Sequence, residues 1–160
     1  MLTKEQLLTE HTLAKFFVPQ GVAIIGASKN PAKVGNAIVK NLLASRYAGH
    51  IYPINPREKE ILGLKCFQNV QDIPSTPADK GGENVELAVI AIPAAHVLAA
   101  LQECAQRGIR YAIVITAGFK ETGPQGMELE NKLTAFCREQ KIRLLGPNCV
   151  GLIHTHTPIN

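Results

Sequence analysis

The sequence predicts an α/β domain of the Rossmann-like, doubly wound class, with a parallel sheet and helices on both of its faces. Short apolar runs alternate with amphipathic stretches of helical periodicity along the chain, which is typical of βαβ units. The run Glu86–Ile92 is almost unbroken in its apolar character, as expected of a strand buried on both sides in a parallel sheet. At 160 residues, the chain is long enough to form one domain with a substantial core.

The first half of the chain contains predicted elements that end at proline or glycine signals. In order they are a helix from Thr3 to about Lys15, a strand Val22–Gly26, a helix beginning near Lys33–Val34, a strand His50–Asn55 and a strand-like segment Leu64–Phe67. The second helix has apolar spacing at Val34, Ala37, Ile38, Asn41 and Leu42, and Gly49 is its predicted stop.

The second half repeats the alternation after a polar loop, Pro74–Asn84. Its predicted elements are a strand Glu86–Ile92, a helix with Val97, Ala100, Leu101, Cys104 and Ala105 on its apolar face, a strand Tyr111–Thr116, a helix beginning near Pro124 and a strand Ile142–Leu145. Gly108 follows the first of these helices as a C-terminal stop, and Pro124 suits the first position of the second.

The turn after the first strand has the composition of an anion site. The apolar run ends at Gly26, and a loop containing Ser28, Lys29 and Lys33 leads into a helix. Backbone N–H groups at a helix start attract anions, and Gly26 lets a phosphate approach because it has no Cβ. The dinucleotide fingerprint G-x-G-x-x-G is incomplete, because Ser28 occupies the position of its second glycine. An ordinary packing turn between strand and helix is the alternative.

In doubly wound sheets ligands bind beyond the carboxyl ends of the strands. At the predicted ends this chain has small and polar residues, which suit a crevice lined by backbone, although loops favour these residue types in any case. The five end segments are Gly26–Ser28, Asn55–Arg57, Ile92–Ala94, Thr116–Phe119 and Gly146–Cys149.

The end of the second strand discriminates between nucleotide ligands. NAD sites place Asp or Glu there to bind ribose hydroxyls, whereas this chain has Asn55, followed by Pro56 and Arg57. Arg57 suits a phosphorylated ribose, which leaves NADP and coenzyme A (CoA) as candidates. A merely solvated arginine is the alternative.

Composition excludes several other classes of function. The net charge of +4 is mild and spread out, and Trp is absent, so nucleic-acid binding is not expected. No apolar run reaches the roughly 20 residues of a membrane span, and the polar N-terminus does not resemble a signal peptide. The cytoplasm is the expected location. None of the four cysteines forms a C-x-x-C pair, and no metal site is predicted.

Six motifs, in order, resemble the CoA-binding domain of NDP-forming acyl-CoA synthetases, a group that includes ADP-forming acetyl-CoA synthetase and the succinyl-CoA synthetase alpha subunit. They are FFVPQGVAIIGAS (16–28), KVG (33–35), YPINP (52–56), LAVIAIPA (87–94), ITAGFKE (115–121) and GPNCVG (146–151). The resemblance extends from Phe16 almost to the end of the chain. Residues 1–160 are therefore expected to form a single CoA-binding domain, the N-terminal domain of a longer protein.

The resemblance implies a site for CoA or acyl-CoA. Its expected residues are Gly26, Ala27, Ser28, Lys33, Val34, Gly35, Asn55, Pro56, Arg57, Ile92, Pro93, Ala94, Thr116, Ala117, Gly118 and Asn148. By this resemblance Gly26, Ser28 and Lys33 line the phosphates, Asn55–Arg57 lies beside the adenosine end, and Ile92–Ala94 packs near the adenine or pantetheine. Thr116 and its neighbours lie towards the thiol end, and Asn148 faces the reaction centre.

The family makes acyl-CoA through a phosphorylated histidine in the following domain and a nucleotide bound in an ATP-grasp domain. The resemblance therefore implies a CoA-binding module that is inactive alone and has these domains or subunits as partners. A regulatory domain that senses CoA or acyl-CoA, as in protein acetyltransferases, and an NADP-dependent oxidoreductase domain are the alternatives.

Three other residues could be mistaken for catalytic groups. His154, where the family usually has Asn, and His156 lie in the wrong domain for the phosphorylated histidine. Cys149 has no His or Asp at a spacing that suggests a catalytic set. No catalytic residue is predicted in this chain.

Overall fold

The computed structural model describes residues 13–74, 84–153 and 159. The helices are α1 (Ala14–Phe17), α2 (Val34–Ala44), α3 (Ala94–Arg107) and α4 (Pro124–Glu139). The strands are β1 (Gly21–Ile25), β2 (His50–Ile54), β3 (Glu60–Ile61), β4 (Leu64–Lys65), β5 (Leu87–Ile90), β6 (Tyr111–Val114) and β7 (Arg143–Leu145). Short 3-10 turns lie at Val70–Asp72 and Lys120–Thr122.

The main sheet has the spatial order β2-β1-β5-β6-β7, and each neighbouring pair is parallel. The chain starts on the inner strand β1, moves outward to β2, and then crosses back over β1 to continue with β5. The direction of winding therefore reverses between β1 and β5. This topology confirms the predicted doubly wound fold and locates the expected ligand crevice at the carboxyl ends of these two strands.

Hydrophobic layers cover both faces of the sheet. Ala23 and Ile25 of β1 point to one layer, whereas Val22 and Ile24 point to the other, as the alternation of side chains along a strand requires. The first layer contains α3 and α4, through Val97, Leu101, Leu133 and Cys137. The second contains α1, α2 and the β3–β4 hairpin, through Phe16, Val39, Leu42 and Ile61. The expectation of helices on both faces is therefore confirmed.

Helix α2 begins where predicted, but only part of its predicted apolar face packs in the core. The residues predicted to face the core are Val34, Ala37, Ile38, Asn41 and Leu42. The buried residues are Gly35, Asn36, Val39 and Leu42. The helix turns this face inward because Gly35 packs on the backbone of Gly26 and because the Asn36 amide finds a hydrogen-bond partner there. The prediction for the end of α2 is also wrong, since Ser45, and not Gly49, caps it.

The predictions for the other two long helices are confirmed. All five apolar-face residues of α3 are buried, and Gly108 ends the helix in the left-handed conformation, with φ +86°. Pro124 occupies the start of α4. The strands are shorter than predicted: β2 ends at Ile54, β5 at Ile90 and β6 at Val114. The residues after these ends leave the ladder and form the crevice loops.

The cysteines are free thiols. Burial raises the pKa of Cys104 to about 12 and that of Cys137 to about 11, so both remain protonated core residues, as predicted. The partly buried Cys149 donates a hydrogen bond from its Sγ to the Val114 carbonyl at 3.4 Å.

Most of the predicted N-terminal helix, and both His154 and His156, lie outside the described residues. Helix α1 covers only Ala14–Phe17, where the buried Phe16 ring packs edge-on against Tyr111 at a centroid distance of 5.3 Å. In the part of the chain that the structure describes, no helix is both long and apolar enough to cross a membrane.

Candidate ligand crevice

A cavity of about 610 Å³ opens at the carboxyl ends of β1, β2 and β5, where the winding reverses. Its volume is in the range typical of small-molecule sites. It is lined by the strand ends, by the segment after β4 and by the first turns of α3, namely Ile25, Gly26, Ile54, Asn55, Pro56, Arg57, Gln68, Asn69, Ile92, Pro93, His96, Ala99, Ala100 and Glu103.

The turn at Gly26 is shaped by its neighbours. Gly26 has φ +93°, and a Cβ there would collide with the Ala91 carbonyl oxygen. The Gly26 N–H donates to the Ile54 carbonyl at 3.1 Å. A Cβ on Gly35 would overlap the Gly26 carbonyl oxygen, so α2 can approach the turn this closely only through a glycine. Gly35 thus performs the close helix–strand packing that a late glycine performs in dinucleotide-binding turns.

The loop between β1 and α2, residues 26–33, is held by its own polar side chains. The Asn30 N–H donates to Ser28 Oγ at 3.1 Å, and the Ala32 N–H donates to Asn30 Oδ1 at 2.9 Å. Within the described residues, the N–H groups of Ser28, Lys29, Val34 and Gly35 have no protein acceptor. These unpaired donors, together with the start of α2, are suited to an anion.

Cationic side chains surround the loop, although not all of them are free. Lys33 and Arg57 are exposed. Lys29 forms a 2.8 Å ion pair with Glu58, and this hydrogen-bonded carboxylate raises the pKa of the lysine. Glu58 is the nearest carboxylate after β2, and this ion pair with Lys29 engages it. The end of β2 therefore presents an arginine and an asparagine rather than a free acid.

Both polar atoms of the Asn55 side chain form hydrogen bonds with backbone groups of the protein. Its Nδ2 donates to the Ala27 carbonyl at 2.8 Å, and its Oδ1 accepts from the Arg57 N–H at 2.9 Å. The side chain thereby joins the end of β2 to the loop and fixes the turn that carries Arg57.

The apolar side of the cavity is formed where β5 leads into α3. Pro93 caps α3, and the Thr116 hydroxyl donates to the Ile92 carbonyl at 2.7 Å. Thr116 therefore supports the wall instead of lining it. The exposed His96 lies in the first turn of α3 and borders the cavity.

Several predicted residues lie beyond the cavity, at the ends of β6 and β7. The Asn148 N–H donates to the Thr116 carbonyl at 2.9 Å, which joins the two loops. The Gly118 and Phe119 N–H groups donate to one oxygen of Glu121 at 2.6 and 3.2 Å, and these bonds hold the pKa of this carboxyl below its usual value.

The predicted residues are thus divided between the cavity wall and its surroundings. The wall contains Gly26, Asn55, Pro56, Arg57, Ile92 and Pro93. The adjoining loop and helix start contain Ala27, Ser28, Lys33, Val34 and Gly35, and Ala94 begins α3. Thr116, Ala117, Gly118 and Asn148 belong to the loops after β6 and β7.

Sequence reasoning missed the wall residues that come from outside the strand ends. Gln68 and Asn69 reach the cavity because Phe67 pairs with Ile54 at the edge of β2. His96 and Glu103 lie one and three turns into α3. The helical spacing of His96, Ala99, Ala100 and Glu103 is a signal in the sequence that could have identified this face.

A smaller cavity of about 90 Å³ lies on the other side of the sheet, between α2 and Leu152. No charged residue lines it, so it does not suit a phosphorylated ligand. Among the described residues, no group of three His, Cys, Asp or Glu side chains is arranged to hold a metal ion.

Comparisons with known proteins identify relatives of this chain. Residues 20–155 match the CoA binding domain family. The chain is 43% identical over 151 residues to the ADP-forming acetate–CoA ligase of Methanocaldococcus jannaschii, covering 94% of this chain and 20% of that protein. It is 41% identical over 145 residues to the alpha subunit of the ADP-forming acetate–CoA ligase II of Pyrococcus furiosus, covering 91% and 30%.

A solved structure supports the same relationship. The dinucleotide-forming acetyl-coenzyme A synthetase 1 of Ca. Korarchaeum cryptofilum, in complex with phosphate and ADP, superposes with a TM-score of 0.83 at 39% identity, covering 92% of this chain and 30% of that one. The chain thus spans between a fifth and a third of the length of these relatives. By its match over residues 20–155 and its fold, the chain belongs to the CoA-binding domain family.

Proposed function

We propose that this chain binds CoA, or an acyl-CoA, as the CoA-binding part of an ADP-forming acyl-CoA synthetase. The observation that carries the proposal is that an anion-binding loop and a cationic end of β2 without a free carboxylate meet at the same cavity, which Gly26 at the start of the loop and Arg57 both line. CoA has a diphosphate and a separate 3′-phosphate on its ribose, so it needs two anion subsites joined by room for an adenosine.

The loop and Arg57 supply those subsites. The unpaired N–H groups of Ser28, Lys29, Val34 and Gly35 would receive the diphosphate. Arg57 would pair with the ribose 3′-phosphate, and the apolar wall at Ile92 and Pro93 would pack against the adenine. The pantetheine arm would then run towards the loops after β6 and β7, with the thiol end near Thr116 and with Asn148 facing the reaction centre.

The relatives support the synthetase context. They are ADP-forming acetate–CoA ligases, and the motifs of this chain resemble a family that uses a nucleotide and a phosphorylated histidine. The partners of this chain would therefore be an ATP-grasp domain and a phosphohistidine domain, in the same protein or in another subunit, and this chain alone would be inactive. Incubation of the isolated chain with γ-labelled ATP, acetate and CoA should give neither acetyl-CoA nor labelled protein.

Calorimetric titration with four ligands tests the CoA assignment. CoA should bind more tightly than dephospho-CoA, NADP or NAD. Arg57→Ala should weaken CoA binding about tenfold, at the low end for a charge-assisted contact because the side chain is exposed, and should leave dephospho-CoA binding unchanged. Arg138→Ala, on the exposed end of α4, is the matched control. Tighter binding of either nicotinamide nucleotide would show that the CoA assignment is wrong.

A further inference from the structure

Two asparagine side chains hold consecutive carbonyl groups of the loop between β1 and α2. Asn55 Nδ2 donates to the Ala27 carbonyl at 2.8 Å from the β2 side. Asn36 Nδ2 donates to the Ser28 carbonyl at 2.8 Å from the first turn of α2. The two donors belong to different elements that flank the loop.

These bonds determine where the loop N–H groups point. In a planar trans peptide the N–H lies opposite the preceding carbonyl. Holding the Ala27 carbonyl therefore sets the direction of the Ser28 N–H, and holding the Ser28 carbonyl sets that of the Lys29 N–H. These are two of the loop donors that have no acceptor within the described residues.

The burial of Asn36 makes its hydrogen bond to the loop important for stability. Asn36 is 4% exposed and is the polar residue buried in the described core. A buried amide without a partner is strongly destabilising, so its bond to Ser28 is well defined. No buried side-chain polar atom in the described part of the chain lacks a partner.

We propose that Asn36 and Asn55 are positioning residues that aim the Ser28 and Lys29 N–H groups at the diphosphate of CoA. The proposal rests on the proposed function and adds to it how the donors are set before the ligand arrives. Asn55, expected from the sequence to lie beside the adenosine, acts on the diphosphate through the loop. Asn36 acts in the same way from inside the core.

The role predicts a pattern of affinities that differs from that of a ligand-contacting residue. Asn55→Ala and Asn36→Ala should each weaken binding of CoA about three- to tenfold, the range for one net hydrogen bond. For Asn36→Ala the loss should be the same with dephospho-CoA, because both ligands contain the diphosphate. Asn55→Ala should weaken dephospho-CoA as well, but CoA by somewhat more, because it also removes the acceptor of the Arg57 N–H. Arg57→Ala, in contrast, should affect CoA alone. Asn131→Ala, at an exposed site on α4, should bind both ligands as the parent does.

Amide NMR spectra separate positioning from a loss of stability. In the parent, saturating CoA should shift the Ser28 and Lys29 amide protons downfield as they donate to phosphate. In folded Asn55→Ala, which changes a half-buried residue, at least the Ser28 shift should be largely lost at saturation, whereas perturbations at Ile92 and Ala94 remain. Parental affinity together with parental Ser28 and Lys29 shifts in this variant would overturn the proposal.

The ¹⁵N–¹H heteronuclear NOE of the free protein tests the arrangement without any ligand. Ser28 and Lys29 should be ordered in the parent and more mobile on the picosecond–nanosecond timescale in both variants. If the parent fails to bind CoA, the proposed function is wrong. A lowered NOE in the two variants would still show that the asparagine side chains order the loop. An unchanged NOE in both variants would exclude that ordering whatever the ligand.

Discussion

At the scale of single residues, close approach explains why glycines flank the loop. Gly26 combines a left-handed backbone with close contact to the segment just after β5, because a Cβ there would meet the Ala91 carbonyl oxygen. Gly63, in the β3–β4 turn, has a similar φ of +82°, but a Cβ at that position would have no neighbouring atom within 4 Å among the described residues. A substitution at Gly63 therefore tests backbone strain alone, whereas one at Gly26 tests strain together with steric contact.

Gly26→Ala should be more destabilising than Gly63→Ala. Both changes place a side chain on left-handed backbone, which costs about 1–3 kcal/mol. At Gly26 the collision with Ala91, just after β5, adds about 1–3 kcal/mol. Urea denaturation of the two variants and the parent gives the difference, and equal losses of unfolding free energy would contradict the close approach at Gly26.

Sequence reasoning identified Gly26 but not the whole reason for it. The pattern of strand, glycine and helix predicts that a side chain there would intrude on a phosphate. In the fold such a side chain meets Ala91, just after β5, first, and this is a contact between residues far apart along the chain. Similarly, Asn36 looks like one more polar residue in a helix, because nothing local shows that its amide faces Ser28.

At the scale of elements, periodicity predicted those helices that pack through side chains. The apolar face of α3 matches the buried residues because that helix contacts the sheet through Val97, Leu101 and Cys104. The pattern failed for the first turn of α2, which packs on the loop after β1 through Gly35 and Asn36. A hydrophobic pattern cannot show a face whose contacts are backbone and amide.

The loop after β6 gives an element-scale prediction about pH. Hydrogen bonds from the Gly118 and Phe119 N–H groups lower the pKa of Glu121 in the folded state. Its stabilising contribution is therefore present above the unfolded pKa of about 4.3 and is lost as the pH falls through the lower folded value. The parent should thus be more stable than Glu121→Gln near neutral pH, and the difference should shrink in acid.

Urea denaturation between pH 7 and pH 3 measures this difference. Glu139→Gln, an exposed change at the end of α4, serves as the control. A gap between the parent and Glu121→Gln that stays constant, or widens, below pH 4 would contradict the role assigned to the Gly118 and Phe119 donors.

At the scale of the whole molecule, the topology brings the site together from distant parts of the sequence. The reversal of winding between β1 and β5 places Gly26 at the start of the loop, the β2 end at Asn55–Arg57 and the start of α3 around one cavity. The alternation of strands and helices predicted this edge of the sheet. It could not predict Gln68 and Asn69, because these reach the cavity through the edge pairing of Phe67 with Ile54.

Binding of CoA across three strand ends should stabilise the whole domain, with extra protection concentrated at the crevice. A ligand present at about 100 times its Kd raises the free energy of unfolding by about 2.7 kcal/mol when it binds only the folded state. Hydrogen exchange should slow most in peptides that cover residues 25–35, 53–58 and 91–97, because local opening of these segments breaks ligand contacts. Segments of α4 that exchange only through global unfolding should slow only by the rise in the free energy of unfolding. Segments of α4 that exchange through local opening should be unaffected. Protection confined to Leu152 and the apolar cavity beside α2 would instead place the ligand on the opposite side of the sheet and contradict the assignment of the crevice.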